Sequence, residues 1–455
     1  MTTPFGHPMR EHFLFDANFK NLNHGSFGTY PRAVQTALHE HQHASEARPD
    51  HFYRIARAQG IDASRRMVAE LLNIPVNECV FVKNATTGVG TVLRNLAFQT
   101  GDAVVYFDTI YGAVEKGLHS LMESSPVAAR KVEYELPIRH EELVRRFRDV
   151  VRRARDEGLN VRVAVFDTIV SMPGVRFPFE ALVRVCREEH ILSLVDGAHG
   201  IGHIPLDLGA LQPDFFTSNL HKWLFVPRGC AVLHVPLRNQ HLIRTTLPTS
   251  WGYIPPGQVT TTTTTQGKSA FEYLFEHVAT TDDTPWLCVP AALQFRREVC
   301  GGEDRIYAYL EALGRSAADI VARALGTEVM QEPGLQEGEV SQLRRCGLST
   351  VRLPIAVAAG DAANATAVTR VSAGEDGTSY LRIHSSLVST VGTWFRDTLF
   401  DQYNTFVPVF QHGGWLWTRL SAQVYLEESD FEWLAGVLKE CCERVETEAG
   451  LSAKL

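Results

Sequence analysis

Asp196 and Lys222 are the two residues whose types and placement could do chemistry together. The run Ile191-Leu192-Ser193-Leu194-Val195 has the length and content of a buried parallel strand. It delivers Asp196 at its C-terminal end, where open α/β sheets place ligands. Asp214-Phe215-Phe216-Thr217-Ser218 reads as a second short strand, which leads into His221-Lys222. An amine and a carboxylate at the ends of two strands suit an aldehyde cofactor with a basic ring nitrogen. The amine would hold the aldehyde as a Schiff base, and the carboxylate would pair with the protonated nitrogen. Each residue also has an ordinary explanation, a solvated surface lysine and a helix-capping aspartate. Lys222, however, is followed by Trp223, Leu224 and Phe225, an apolar collar that a solvated lysine does not need. Desolvation lowers an amine's pKa and makes it nucleophilic.

Four other stretches could bind something. In Leu22-Asn23-His24-Gly25-Ser26-Phe27-Gly28, close glycines imply a tight turn. Asn23 and His24 could face a ligand there, or Asn23 could simply make an Asx turn. Asn84-Ala85-Thr86-Thr87-Gly88 is a small, hydroxyl-rich turn that feeds a helix. Such a turn can cradle a phosphate on free backbone N–H groups and the helix dipole, and capping by Thr87 is the competing reading. The stretch is neither a GxGxxG fingerprint nor a Walker loop. Tyr111, after the apolar strand Ala103–Phe107, could stack on a planar ring or pack in the core. Arg419 lies in the apolar strand-like run Leu416–Tyr425, with alternate residues expected to face one side. A guanidinium there needs an anion, either a structural Asp or Glu or a substrate carboxylate held by paired hydrogen bonds.

The elements that must position these residues form a pattern. From about residue 80 to 235, strands at 80–82, 103–107, 163–167, 191–195 and 214–218, and a late one at 231–233, are separated by helices. That order predicts a mostly parallel sheet with helices on both faces. Beyond Pro236 the pattern breaks. Residues 245–267, with six consecutive threonines at 260–265, read as a long loop. Residues 279–285 read as a hydroxyl-rich turn, and 361–377 as a surface loop. The remainder suits a separate α+β domain. The domain reading is an N-terminal arm over 1–20, a large domain over 21–294 and a small C-terminal domain over 295–455. The arm has little periodicity and is expected either to wrap another subunit or to hang loose.

Composition excludes several classes. With 455 residues the chain exceeds what one core usually supports. A net charge of −8 and the lack of any Lys/Arg block argue against nucleic-acid binding. No apolar run is long enough to span a bilayer, and the N-terminus lacks the pattern of a signal peptide. The eight cysteines are scattered, with no spacing that would hold a metal. They read as reduced thiols of a cytoplasmic protein.

Taken together, Asn84-Ala85-Thr86-Thr87-Gly88, Asp196-Gly197-Ala198-His199, Ser218-x-x-His221-Lys222-Trp223 and Arg419-Leu420-Ser421 resemble the motifs of the class V aminotransferase family. The likeness covers nearly the whole chain. Leu22–Gly28, Phe107–Ala113 and Ser171–Pro178 narrow it to the fungal isopenicillin-N-epimerase-like group. That group includes the hercynylcysteine sulfoxide lyases of ergothioneine biosynthesis and the loline-pathway enzyme. The resemblance implies pyridoxal 5′-phosphate (PLP) as cofactor and the fold-type I architecture, a large α/β domain with a seven-stranded-type sheet and a smaller α+β domain. It also implies a homodimer with active sites at the interface. Lys222 would carry the cofactor and move protons at Cα, Asp196 would hold the ring nitrogen protonated, and His199 would bond the ring hydroxyl. Tyr111 would stack on the ring. Thr86, Thr87, Ser218 and His221 would bind phosphate, with Thr280 reaching over from the second subunit. Arg419, with Asn23 nearby, would hold the substrate carboxylate. Ala279 stands where the group has glycine, and the 245–267 and 411–415 stretches also depart from it. The implied reaction is β- or γ-elimination from an amino acid, most closely carbon–sulfur cleavage. The alternatives are ring closure by a Mannich-type step in alkaloid biosynthesis, or a dimeric scaffold without activity.

Overall fold

A computed structural model describes residues 2–256, 267–358, 368–371 and 379–449. Its strands, in chain order, are β1 (Cys79–Val82), β2 (Asp102–Phe107), β3 (Ala128–Val132), β4 (Asn160–Asp167), the short hairpin β5 (Ile169–Val170) and β6 (Val175–Arg176), β7 (Leu192–Asp196), β8 (Phe215–Asn219) and β9 (Ala231–His234). The C-terminal part adds β10 (Leu348–Ala358), β11 (Val368–Val371), β12 (Tyr380–His384), β13 (Val409–His412) and β14 (Trp415–Ser421).

Seven of these make the central sheet, in the order β1-β9-β8-β7-β4-β2-β3. Every pairing from β8 to β3 is parallel, and only β9 runs against its neighbours. The strands are nearly continuous apolar runs because both faces are covered. Alternate side chains of a strand point to opposite faces. Phe81, Val105, Phe107, Ala164, Phe166, Val195 and Phe216 accordingly enter one apolar cluster, while Val80, Val82, Val104, Tyr106, Val163, Val165, Leu194 and Phe215 enter another. The strand order is not the sequence order. Asp167 and Asp196, at the C-terminal ends of β4 and β7, and Lys222, just beyond the end of β8, therefore converge at the C-terminal ends of three neighbouring central strands.

The second sheet has the order β11-β12-β10-β14-β13. It is flanked by the long helices Glu303–Leu325 and Glu428–Glu448. It corrects two expectations. The 361–377 stretch contains strand β11, while the rest of it lies outside the described residues. The strand bearing Arg419 is shorter than the 416–425 run, covering Trp415–Ser421, and is buried along nearly its whole length. That strand lies between β10 and β13 and ends at Ser421. The threonine run 260–265 also lies outside the described residues.

The N-terminal arm does not hang loose but docks on its own chain. Met9 and Phe13 are buried, the Phe13 ring meets Tyr425 edge-on at 4.7 Å, and the Gly6 N–H donates to the Val424 carbonyl. Sparse but large apolar side chains are enough to dock it, because a few buried aromatics each remove a large apolar area from water. Among the described residues, no helix is long and apolar enough to cross a membrane and no cluster of side chains could hold a metal ion. All eight cysteines are buried free thiols.

Candidate active site

Strand β8 runs into the short helix Leu220–Trp223, which carries Lys222. The backbone of this turn is held from every side. Gly28 (φ +64°) packs so closely that a Cβ there would lie 1.9 Å from the His221 carbonyl oxygen. Gly202 (φ +76°) does the same against Trp223 and Leu224. Both angles are in the left-handed region, where glycine pays no steric cost. His24 Nε2 donates to the Lys222 carbonyl at 2.6 Å. The buried guanidinium of Arg296 donates to the carbonyls of Trp223 (2.8 Å) and Gly202 (3.0 Å). Phe225 closes the turn at φ +66°, a strained angle for a bulky residue, and sits under the Arg296 guanidinium. His24 thus turns inward. Its Nδ1 accepts from the Tyr425 hydroxyl at 2.9 Å, and the Tyr425 oxygen accepts from Asn21 at 2.8 Å.

The Lys222 amine lies 3.2 Å from His199 Nε2. Burial is the main force lowering its pKa to about 8. Arg419 lowers it further, and Asp196 and Asp167 partly offset both. Asp196 is buried, accepts from the Ala198 N–H at 2.9 Å, and is raised by burial. Asp167 stands beside it in register across β4 and β7. Two carboxylates in one buried space cannot both ionise cheaply. Burial and the charge of Asp196 hold Asp167 well above the usual carboxylate range. The sequence signal for Asp167 was present, an aspartate ending an apolar strand as Asp196 does, but only the strand order reveals that the two are neighbours. His199 is buried and kept neutral by burial first, then by Lys222 and Arg419.

The helix Ala85–Asn95 points its N-terminus toward the end of β8. Asn84 caps Thr87, accepting from its N–H at 2.8 Å and its hydroxyl at 3.0 Å, and Asn219 accepts from the Ala85 N–H at 2.8 Å. Among the described residues, the exposed Thr86 is the first-turn residue whose N–H and hydroxyl have no such partner. His221 donates from Nδ1 to the Cys230 carbonyl at 2.9 Å, and its Nε2 has no partner among the described residues. Burial lowers its pKa to about 4. Ser218 is fully buried. Its hydroxyl donates to the Gly197 carbonyl and accepts from the Ile201 N–H, so it ties down the turn that bears Asp196 and His199. Tyr111 follows β2 and is 47% exposed. Thr280 is also exposed, in a turn clamped by the buried Arg57–Asp283 ion pair at 2.9 Å. Among the described residues it bonds to no member of this site.

Arg419 decides its own alternative. It is 2% exposed. Its guanidinium donates to the Ser171 carbonyl (2.7 Å), Asn23 Oδ1 (2.7 Å) and Ser26 Oγ (2.7 Å), with a longer contact to Ser171 Oγ (3.3 Å). Among the described residues no carboxylate pairs with it, and its Nε has no partner. Burial lowers its pKa to about 10. A buried cation left with neutral acceptors is costly unless an anion arrives. Ser26 and Ser171 were not among the residues chosen from the sequence. Isolated serines carry no signal until folding gathers them around one guanidinium.

A buried amine, a carboxylate one strand away and an unpartnered donor at a helix N-terminus are what a flat, cationic, phosphorylated aldehyde requires. Comparison with known proteins agrees. The Aminotransferase class-V family model matches residues 22–250. The chain is 44% identical over 449 residues to the L-cysteine desulfhydrase-like protein lolT1 of Epichloe uncinata, covering 97% of each. It is 29% identical to the hercynylcysteine sulfoxide lyase of Schizosaccharomyces pombe, covering 96% of this chain and 98% of that one. A solved structure of a C-DES mutant with glycine covalently linked to its PLP cofactor superposes with a TM-score of 0.69 at 17% identity, covering 95% of this chain and 99% of that one. The fold is the PLP-dependent fold type I expected from the motifs. The chain belongs to the class V aminotransferase family and is a PLP-dependent enzyme.

Proposed function

We propose that the protein is a lyase that cleaves the carbon–sulfur bond of a cysteine-derived amino acid, of the hercynylcysteine-sulfoxide type. The observation that carries this is Arg419, which has no carboxylate partner among the described residues and with Asn23 would hold the substrate's α-carboxylate and so place Cα over Lys222. The relatives named for cysteine desulfhydrase and sulfoxide lyase activity support the choice of sulfur as leaving group. The bound cofactor supplies the electron sink for the Cα carbanion. Asp196 would pair with its ring nitrogen, His199 would bond its ring hydroxyl and Tyr111 would stack on the ring. Thr86, Thr87 and His221 would receive the phosphate, while Ser218 holds the turn behind them. Lys222 then takes the Cα proton. The Cβ–S electron pair leaves with sulfur, and the three-carbon remainder is hydrolysed to pyruvate and ammonia.

The same reading makes the protein a cytoplasmic homodimer with Thr280 completing the partner's phosphate site. Exposed Thr280 and the apolar side chains of Phe27 (71% exposed) and Trp251 (83% exposed) support it. Incubation of the purified protein and PLP with an S-alkyl-cysteine sulfoxide tests the lyase reading, and pyruvate release is the expected result. A second reading, ring closure on the substrate's carbon skeleton, follows from the resemblance to the loline-pathway enzyme. Consumption of an O-acetylhomoserine-derived amino acid to a cyclic product without pyruvate would select it.

A further inference from the structure

Three aromatic rings lie directly behind Lys222. The Trp223 indole N–H donates to His199 Nδ1 at 3.2 Å. His203 stacks on that indole, with ring centroids 3.6 Å apart and planes 12° from parallel. The His203 Nδ1–H donates to the His199 carbonyl at 2.8 Å, and its Nε2 accepts from the Gly347 N–H at 2.7 Å. All three rings are buried. An indole N–H and a backbone N–H can only donate, so neither bond can be reversed.

We propose that Trp223 is a positioning residue that locks His199 as the Nε2–H tautomer, so that the ring presents a permanent hydrogen-bond donor toward the Lys222 amine, where it would also serve the cofactor's ring hydroxyl. The inference builds on the reading of Lys222 as the proton-moving amine, but the tautomer itself does not depend on it. With Nδ1 committed to the indole, the one proton of neutral imidazole must sit on Nε2. Burial and the neighbouring charges keep the ring neutral, so it does not gain a second proton. His199 therefore cannot accept the Cα proton at Nε2, and that step is left to Lys222. His203 keeps the indole flat against its own ring. Through Gly347, beside the start of β10, it ties this clamp to the C-terminal sheet.

The direct test is a long-range proton–nitrogen spectrum of the ¹⁵N-histidine-labelled holoenzyme, with His199 assigned by its loss in His199→Gln. The expected result is an unprotonated Nδ1 and a protonated Nε2 at neutral pH. The reverse pattern overturns the proposal. Trp223→Phe keeps a ring for His203 to stack on but removes the donor. In that variant the other tautomer should appear in the spectrum, and kcat should fall about tenfold while KM changes less than about twofold. An unchanged His199 signal in Trp223→Phe also overturns the proposal. Should that variant not fold, the wild-type spectrum decides alone. Failure of the lyase reading would instead show as missing pyruvate with the His199 pattern intact.

Discussion

The chemistry at the level of single residues turns on charges held without the usual compensation. Lys222 with a pKa of about 8 is half-neutral at about pH 8, far below the pH at which an ordinary lysine loses its proton. Its folded pKa lies below the ordinary value, so the free amine appears as pH rises through about 8. Uptake of PLP by the cofactor-free protein, followed by its visible absorption, should accelerate up to that pH and then level off. A rate that keeps climbing towards the ordinary lysine value would contradict the low pKa. Asp196→Asn should fold but lose on the order of 10²-fold in kcat, because a neutral amide cannot hold a cationic ring nitrogen. Arg419→Lys should raise KM strongly and lower kcat/KM by about ten- to a hundredfold, since an ammonium cannot reproduce a forked pair of hydrogen bonds. Equal kinetic constants in the lysine variant would remove Arg419 from the carboxylate site.

At the scale of elements, the site depends on how tightly the turn after β8 is gripped. Gly28→Ala puts a methyl group into the His221 carbonyl at an angle that only glycine adopts freely. Steric conflict and strain of about 1–3 kcal/mol each should lower the melting temperature and expel cofactor. Gly112→Ala, where an added Cβ meets nothing within 4 Å, is the control and should be neutral. Equal melting curves for the two variants would show that the turn can yield. The Arg57–Asp283 pair does the same for the turn that bears Thr280, with Lys83 also reaching Asp283 at 2.7 Å. Removing one member of such a buried pair costs about 3–5 kcal/mol.

For the whole molecule, the prediction is the assembly. The proposed dimer should run at twice the chain mass of 50.7 kDa in light scattering. Lys222→Ala and Thr280→Glu, each inactive alone, should regain activity when mixed and refolded together, because one site of the mixed dimer then has both intact residues. A monomer, or mixtures that stay inactive, would place Thr280 outside the phosphate site.

Much of this protein is legible before folding. The repeated strand–helix pattern fixes the parallel sheet, because buried strands must be continuously apolar and their connections must carry helices. Strand ends mark Asp196 and Lys222, and the ordered motifs point to the cofactor. What the chain could not disclose is which strands lie side by side. Only the order β8-β7-β4 puts Asp167 against Asp196, and only packing gathers Asn23, Ser26 and Ser171, nearly 150 residues apart in the chain at their extremes, around Arg419. The N-terminal arm, which lacks periodicity, is docked by two buried side chains, Met9 and Phe13, that local pattern cannot weigh. Periodicity records which face of an element avoids water; it holds no record of distant partners. Those are chosen by contacts that exist only once the whole chain has closed.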